Sequence, residues 1–470
     1  MIDVTETTTM KPGGWRELFG RERLGTATLL AGGVGLYATN EFLTISLLPS
    51  TVADIGGQRF YAWVIAVYLV GSVVAATTVN PLVIRFGPRV SYLLTLAVFG
   101  AGTMGCALAP TMELLLVART VQGAAGGMLA GLGYAVINAA LPNRLWTRAS
   151  ALVSAMWGVS VIVGPAVGGI FAQFGIWRWA FGSLAIMTAA MAALVPGALP
   201  ARQHSETQSL EMPRIPLWSL LLLGVAALAT SVAGVQRSGA ATFGLLAVGA
   251  VLLGLFLLVD RRARATVLPR SAFAPGPLKW MYITIGLLMA ATMVDMYVPL
   301  FGQRLAGMAP AAAGFFGAVL AVGWTVSEIA SASLDRTRTI ARLVAAAPVI
   351  MAVGLGLGAL VLGDDAPWPL IVVWTIGLFI AGCGVGVAWP HLSAWIMGAV
   401  DDPVEAGTAA AAINTVQLIS GAFGAGLAGI VVNLTEGGDW AAARWLFAVF
   451  AIMAAAGVGA SYRASRGRIL

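Results

Sequence analysis

Trp157-Gly158-Val159-Ser160-Val161-Ile162-Val163-Gly164-Pro165-Ala166-Val167-Gly168-Gly169 lies inside a long apolar run, and its reading decides the fold. In lipid every backbone group must be satisfied within its own segment, so a proline and several glycines make sense there only where another helix approaches closely and a bend is useful. The stretch predicts a packed bundle of spanning helices that shift against one another.

The rest of the chain agrees. Of 470 residues 59% are hydrophobic and only 10% charged, with a mean hydropathy of +0.89, which excludes a soluble fold with a polar shell. At roughly twenty residues per span, apolar runs fall near 25–50, 60–82, 90–109, 112–139, 147–173, 178–199, 217–236, 241–259, 279–303, 310–333, 341–362, 368–398, 405–433 and 443–462. That is an all-α membrane protein of about fourteen helices. The polar opening, residues 1–24, lacks the apolar stretch of a cleaved secretory signal, so the first span is expected to act as an uncleaved anchor. Cys106 and Cys383 each sit alone in apolar segments, which suggests neither a disulfide framework nor a metal site.

Charge sets the topology. If both termini are cytoplasmic, about twenty-one of the 27 Lys and Arg residues fall on the inner side, among them Arg85, Arg89, Arg261, Arg262, Arg264, Arg336 and Arg338. The net charge of +7 then reflects orientation in the membrane rather than a nucleic-acid partner. Polar stretches at 200–216 and 261–278 read as cytoplasmic linkers. They divide the chain into a cytoplasmic tail (1–24), a six-helix bundle (25–199), an isolated hairpin (217–260), a second six-helix bundle (279–462) and a short cytoplasmic tail (463–470). Leu82-Val83-Ile84-Arg85 and Ser333-Leu334-Asp335-Arg336 occupy corresponding places in the two bundles, an internal echo typical of secondary transporters.

Four patterns resemble the major facilitator superfamily across almost the whole chain. Gly164-Pro165-Ala166-Val167-Gly168-Gly169, with Gly158 before it, is similar to the antiporter motif of proton-driven exporters, and it also reads as close helix packing through small residues. Arg119-Thr120-Val121-Gln122-Gly123 resembles the motif whose arginine lies inside the membrane. Leu43 to Pro49, Val52-Ala53-Asp54-Ile55-Gly56-Gly57 and Tyr61-Ala62-Trp63 look like the first helix and outer loop. Asn80 to Arg89 stands where the superfamily carries its inner-gate loop: Arg85, Gly87 and Arg89 match, while Asn80 replaces a glycine and Ile84 the acidic residue. Asp335 and Arg336 in the other half are expected to carry part of that latch. The six-two-six layout, and Asp401 to Thr408 leading into Ile413-Asn414-Thr415-Val416-Gln417, resemble the fourteen-helix drug:proton antiporters. The resemblance implies the major facilitator fold, two six-helix bundles plus an extra hairpin, in a monomer of the cell membrane.

Intramembrane charge points to the chemistry, since each ionisable group at mid-membrane costs roughly 2.5–3.5 kcal/mol even on lenient scales. Glu41, Asp295, Glu328 and Arg119 stand out, with His391 after Pro390 as a further candidate and Asn40, Trp324 and Tyr297 as possible cavity residues. A carboxyl that is dry in one conformation and wetted in the other holds and then releases a proton, and a cation binding the same place displaces it. The competing structural readings are an acid in a water-filled vestibule for Glu41, an outer-mouth position for Asp295, a structural ion pair for Arg119 and a helix-break cap for His391. Trp63, Tyr68, Tyr134, Asn138, Trp157, Trp389, Asn414 and Gln417 are further candidates for the lining, or else packing and interface residues.

The expected function is a proton-coupled antiporter exporting lipophilic, cationic or neutral compounds by alternating access. It needs the bilayer and protons but no cofactor beyond the proton gradient. A dedicated exporter of one endogenous metabolite, such as an antibiotic, an amino acid or a lipid, is the alternative. Enzyme readings find no support: His204 and His391 are the only histidines, and no phosphate-binding Gly-x-x-x-x-Gly-Lys-Ser/Thr pattern exists.

Overall fold

Apolar runs of this length become helices because, without water, only a helix satisfies every backbone N–H and C=O within one segment. The computed structural model describes residues 15–76, 78–199, 215–236, 238–332, 334, 336–361, 367–400 and 403–469, and its regular structure is helical, with no strand among them. A single turn, α1 (Trp15–Leu18), precedes the first half: α2 (Leu24–Ile55), α3 (Trp63–Ala76), α4 (Val79–Leu108), α5 (Met112–Ala140), α6 (Asn143–Gln173) and α7 (Trp177–Ala198). The hairpin α8 (Leu217–Ala233) and α9 (Gly239–Arg262) follows.

The second half breaks most of its spans into two pieces. Helices α10 (Leu278–Thr292) and α11 (Val298–Ala306) are joined by a 3-10 stretch, Met293–Tyr297. Next come α12 (Pro310–Gly317) with α13 (Val319–Ala332), α14 (Thr337–Val361), α15 (Trp368–Gly386) with α16 (Trp389–Met397), α17 (Pro403–Leu434), and α18 (Asp439–Ala456) with α19 (Val458–Ile469). Twelve helical segments are long and apolar enough to cross a membrane. The count of fourteen is therefore not confirmed: α2, with Asn40, Glu41 and several threonines, and the 17-residue α8 are not among the twelve.

Within the first half α2 packs on α5, α6 and α7, and α5 on α3 and α4. The halves meet along two seams, α6 against α12 and α3 against α17. Helix α8 lies on the second seam, touching both α3 and α17; the Trp63 indole donates to the Ser231 carbonyl at 2.7 Å and Asn433 to that of Gly234 at 3.1 Å. Helix α9 packs on α8 and leaves most of its apolar surface outward, as a lipid-facing helix would.

Two regions read as loops from the sequence are ordered otherwise. Asn80 to Arg89 falls inside α4, which turns sharply at Gly87 (φ 77°, ψ 164°), a left-handed backbone that Gly adopts without strain, just before Pro88. Past α9, the fully buried Asp260 carboxylate accepts the backbone N–H groups of Val267 (2.8 Å) and Leu268 (2.9 Å), while Glu405 accepts that of Ser271 at 2.7 Å. The connection through 261–278 is thus pinned to α9 and α17. Residues 1–14 and 200–214, Arg237, Asp335 and Asp401-Asp402 lie outside the described residues.

Candidate functional site

Stripes spaced by three or four residues on α2, α3, α6, α13 and α17, together with the broken span at α10, line a cavity of about 280 Å³ between the halves. From α2 come Val34, Tyr37, Glu41 and Ile45; from α13 Leu320, Trp324 and Glu328; from α10 and its 3-10 continuation Met289, Met293, Asp295 and Met296. Helix α6 adds Trp157 and Val161, α17 adds Asn414 and Gln417, and Trp389 opens α16 on the wall. Glu41 of one half and Asp295 of the other line the same cavity. Glu328 apart, the lining is mostly aliphatic, aromatic, thioether and amide, a surface that adapts to differently shaped apolar bodies.

The cavity is closed at the end bearing Asp54. There Tyr61 stacks on Tyr297 with ring centroids 4.6 Å apart, and its hydroxyl donates to the Met296 carbonyl at 3.1 Å. Arg304 reaches across to Gln58 (3.1 Å) and pairs with Asp439 (2.9 Å). Asn433 donates to the Arg59 carbonyl at 2.9 Å. In the first half, Arg178 (2.5 Å) and the Trp177 indole (3.1 Å) donate to Asp54 and hold its carboxyl below the usual carboxylate range.

The antiporter-like stretch explains why α6 can seal that end. A side chain at Gly164 would meet Phe42 Cβ at 2.6 Å and one at Gly168 the Leu43 carbonyl oxygen at 2.7 Å, so both glycines seat α6 against α2. Gly169 instead faces the other half, 2.6 Å from Ala311 Cα, and the Pro165 carbonyl accepts the Ser46 hydroxyl at 3.4 Å. Gly158 differs from the packing expected of it. Its nearest neighbour would be Thr325 Cγ2 at 3.8 Å, ordinary contact with room to spare.

Arg119 is fully buried but does not line the cavity. Its Nε donates to the Val64 carbonyl at 3.1 Å, its Nη1 to Gln122 Oε1 at 2.6 Å, and its guanidinium stacks on the Tyr68 ring at 4.1 Å. Gln122 in turn donates to Thr103 at 2.8 Å. No carboxylate pairs with it among the described residues; backbone carbonyl and amide oxygens do that work. Tyr68 stacks on Tyr37 at 5.8 Å, and Tyr37 reaches the cavity wall one turn from Glu41, so the arginine stands two rings behind the cavity.

Three further expectations are corrected. Asn40 turns away from the cavity, fully buried with both amide atoms unpartnered among the described residues, because adjacent helical positions point about 100° apart. Tyr297 belongs to the closure, not the lining. His391 Nε2 donates to the Ser331 carbonyl at 3.1 Å, tying α16 to α13 away from the lining. Of the gate residues, Arg85 lies exposed over the Phe86 ring (5.4 Å), Arg89 is half-buried, Arg336 is exposed, and Asp335 lies outside the described residues. Of the wider list, Trp157, Trp389, Asn414 and Gln417 line the cavity, Trp63 and Tyr68 do not, and the side chains of Tyr134 and Asn138 lie outside the described residues. Tyr37 was missed, although an aromatic four residues before Glu41 shares its helix face.

A family model described as Major Facilitator Superfamily matches residues 30–425. A probable multidrug-efflux transporter of Mycobacterium tuberculosis (strain ATCC 25618 / H37Rv) is 60% identical over 465 residues, 98% of each chain. Multidrug resistance protein 3 of Bacillus subtilis (strain 168) is 23% identical over 366 residues, 74% of this chain and 68% of that protein. Among solved structures, the nucleoside transporter NupG superposes with a TM-score of 0.66 at 13% identity, covering 94% of this chain and 99% of that one, a likeness of fold alone.

Proposed function

The chain belongs to the major facilitator superfamily, and from that premise we propose that it exports lipophilic, cationic or neutral compounds from the cytoplasm in exchange for protons. The relative that matches end to end is named a probable multidrug-efflux transporter, which supports the export reading. The observation that carries the coupling is the placement of Glu41 and Asp295, from opposite halves, on one cavity wall. A cationic substrate there competes with protons for the same carboxylates, while a neutral one rests on the apolar wall as the protons cross. When the α6–α12 and α3–α17 seams rock, the cavity trades exposure from one end to the other, and competition becomes exchange.

In this reading α2 and α8 complete fourteen spans, both termini are cytoplasmic, and the end closed by Tyr61, Tyr297 and Arg304 faces outward. The functional unit is the monomer, since each half supplies one of the paired acids. The test is tetraphenylphosphonium efflux from proteoliposomes under an imposed pH gradient, with the parent, Glu41→Gln and Asp295→Asn. Each variant should lose gradient-driven efflux by at least about a hundredfold while still binding the probe. Undiminished coupling in both variants refutes the proposal.

A further inference from the structure

We propose that the groove between α10 and α19, at the end of the molecule opposite Asp54, is a binding site for an anionic phospholipid. Two cations beside one indole hold its phosphodiester, and an apolar column running toward mid-membrane receives an acyl chain.

The headgroup end is built around Trp280. The Arg463 guanidinium lies 4.4 Å from its ring centroid and the Lys279 ammonium 5.6 Å. Helix α10 begins here and α19 ends here, so the indole stands at the depth where amphipathic rings meet lipid headgroups. Among the described residues no carboxylate pairs with Lys279, Arg463 or Arg466. Glu405 is committed elsewhere: it accepts the Ser271 N–H, and its helix α17 meets α10 on the opposite face, where Tyr282 donates to the Ala409 carbonyl. Two cations drawn to one ring without a counter-charge repel each other, and a phosphodiester relieves that. The guanidinium forks onto two of its oxygens while the ammonium binds as a point charge.

Helical spacing sets the column below. Ile452, Ala456, Gly459, Arg463 and Arg466 follow one another by three or four residues, so they share one stripe of α18 and α19. Gly457, at the break between the two helices, keeps right-handed helical angles (φ −67°, ψ −16°), so the stripe continues across it. Every member is exposed, and the stripe changes from apolar to basic between Gly459 and Arg463. Trp280, Ile283 and Leu287 form the facing stripe of α10, with Ile283 42% exposed.

The floor of the groove is open where a chain would lie. A Cβ at Gly457 would meet Leu287 Cδ1 at 3.6 Å, which marks where α10 and α19 touch, whereas one at Gly459 would have nothing within 4 Å. From Arg463 to Ile452 the column runs about 16 Å, about half the hydrocarbon thickness and so the depth of one leaflet. A soluble anion would use only the rim; a phospholipid uses the rim and the column together. Both walls belong to the second half, so an occupant braces the α18–α19 break and leaves the seams between the halves free.

The test is native mass spectrometry of the full chain released from detergent. Dioleoylphosphatidylglycerol is the probe, dioleoylphosphatidylcholine the comparison without net charge, and inorganic phosphate the competitor. Lys279→Gln with Arg463→Gln should weaken phosphatidylglycerol binding about ten- to thirtyfold and change phosphatidylcholine binding less than about twofold. Arg262→Gln, which removes an exposed cation at the end of α9 outside the groove, should change neither by more than about twofold. Gly459→Leu keeps both cations but fills the column, and should weaken phosphatidylglycerol at least about fivefold. Arg463→Lys keeps the charge, should stay within about threefold of the parent, and controls for folding. Equal losses in Arg262→Gln and the double variant overturn the site, as does phosphatidylglycerol binding within about twofold of the parent in the double variant. Phosphatidylcholine bound as tightly as phosphatidylglycerol by the parent overturns it too. Displacement of the lipid by millimolar phosphate, or full binding in Gly459→Leu, would mean a surface anion site and overturns the lipid assignment.

Discussion

Gly169→Ala is the sharpest perturbation of the seam. The added methyl would lie 2.6 Å from Ala311 Cα, where ordinary contact begins at 3.4 Å, so α6 and α12 must part by about 0.8 Å or the backbone must bend. Overpacking of this kind costs about 1–3 kcal/mol, and it falls only on the conformation in which the two helices touch. The population closed at the Asp54 end should drop relative to the alternative by roughly five- to 150-fold. Spin labels at Phe174 and Glu436, both exposed and on opposite halves at that end, report the distance directly in a background lacking Cys106 and Cys383. Gly169→Ala should lengthen the main distance, whereas Gly158→Ala, whose methyl meets only Thr325 at 3.8 Å, should leave it unchanged. Equal shifts for the two, or none for Gly169→Ala, would refute the reasoning.

Gly168→Ala crowds α2 within its own half, so thermal unfolding in detergent should show a loss of about 1–3 kcal/mol without a change in that distance. Arg119→Lys keeps the charge but cannot bond Val64 and Gln122 together while stacking on Tyr68; it should lower stability by about 1–3 kcal/mol in the same assay. Asp260→Ala leaves the Val267 and Leu268 N–H groups without their acceptor, and cleavage by a nonspecific protease within 263–269 should accelerate at least about tenfold. Asp54 is held below its ordinary range by Arg178 and Trp177, so its contribution is fully present above the unfolded carboxyl's titration and disappears as pH falls through the lower folded value. Asp54→Asn should remove that acid-side slope and leave the profile above about pH 5 parallel to the parent's, as followed by thermal melts at several pH values.

The legible part of this molecule is the part lipid dictates. Spans stand out because a water-free interior demands long apolar helices, and Glu41, Asp295 and Glu328 stand out because charge is costly there; all three line the cavity. Side-chain direction was not legible. Asn40 and Tyr297 are one and two residues from the lining acids, yet a turn of about 100° in the α-helix and about 240° in the 3-10 stretch carries them to a buried flank and to the closure. Arg119 shows a different limit: its partners are a backbone carbonyl, which leaves no trace in a sequence, and Gln122, whose spacing of three did mark a shared face. Asp260 closes the hairpin next to Arg261 and Arg262 with no sequence pattern to mark it as buried, since its role as a loop anchor depends on how 263–268 folds back onto it.

In the proposed exchange, the electrostatic layout supports both breadth and coupling. Among the described residues the cavity wall carries three carboxylates and no cationic side chain, while Arg119 stands behind the Tyr68 and Tyr37 rings. In a site walled by methionine and indole, adding a cation without removing a proton raises the net charge in a low-dielectric space, and removing a proton without adding a cation leaves a bare carboxylate there. Exchange keeps the charge constant, so it is the path of least electrostatic cost, whatever the shape of the apolar body attached. Selectivity for shape can then be loose while the coupling stays tight, because methionines and aromatic faces read the body and carboxylates count the charge.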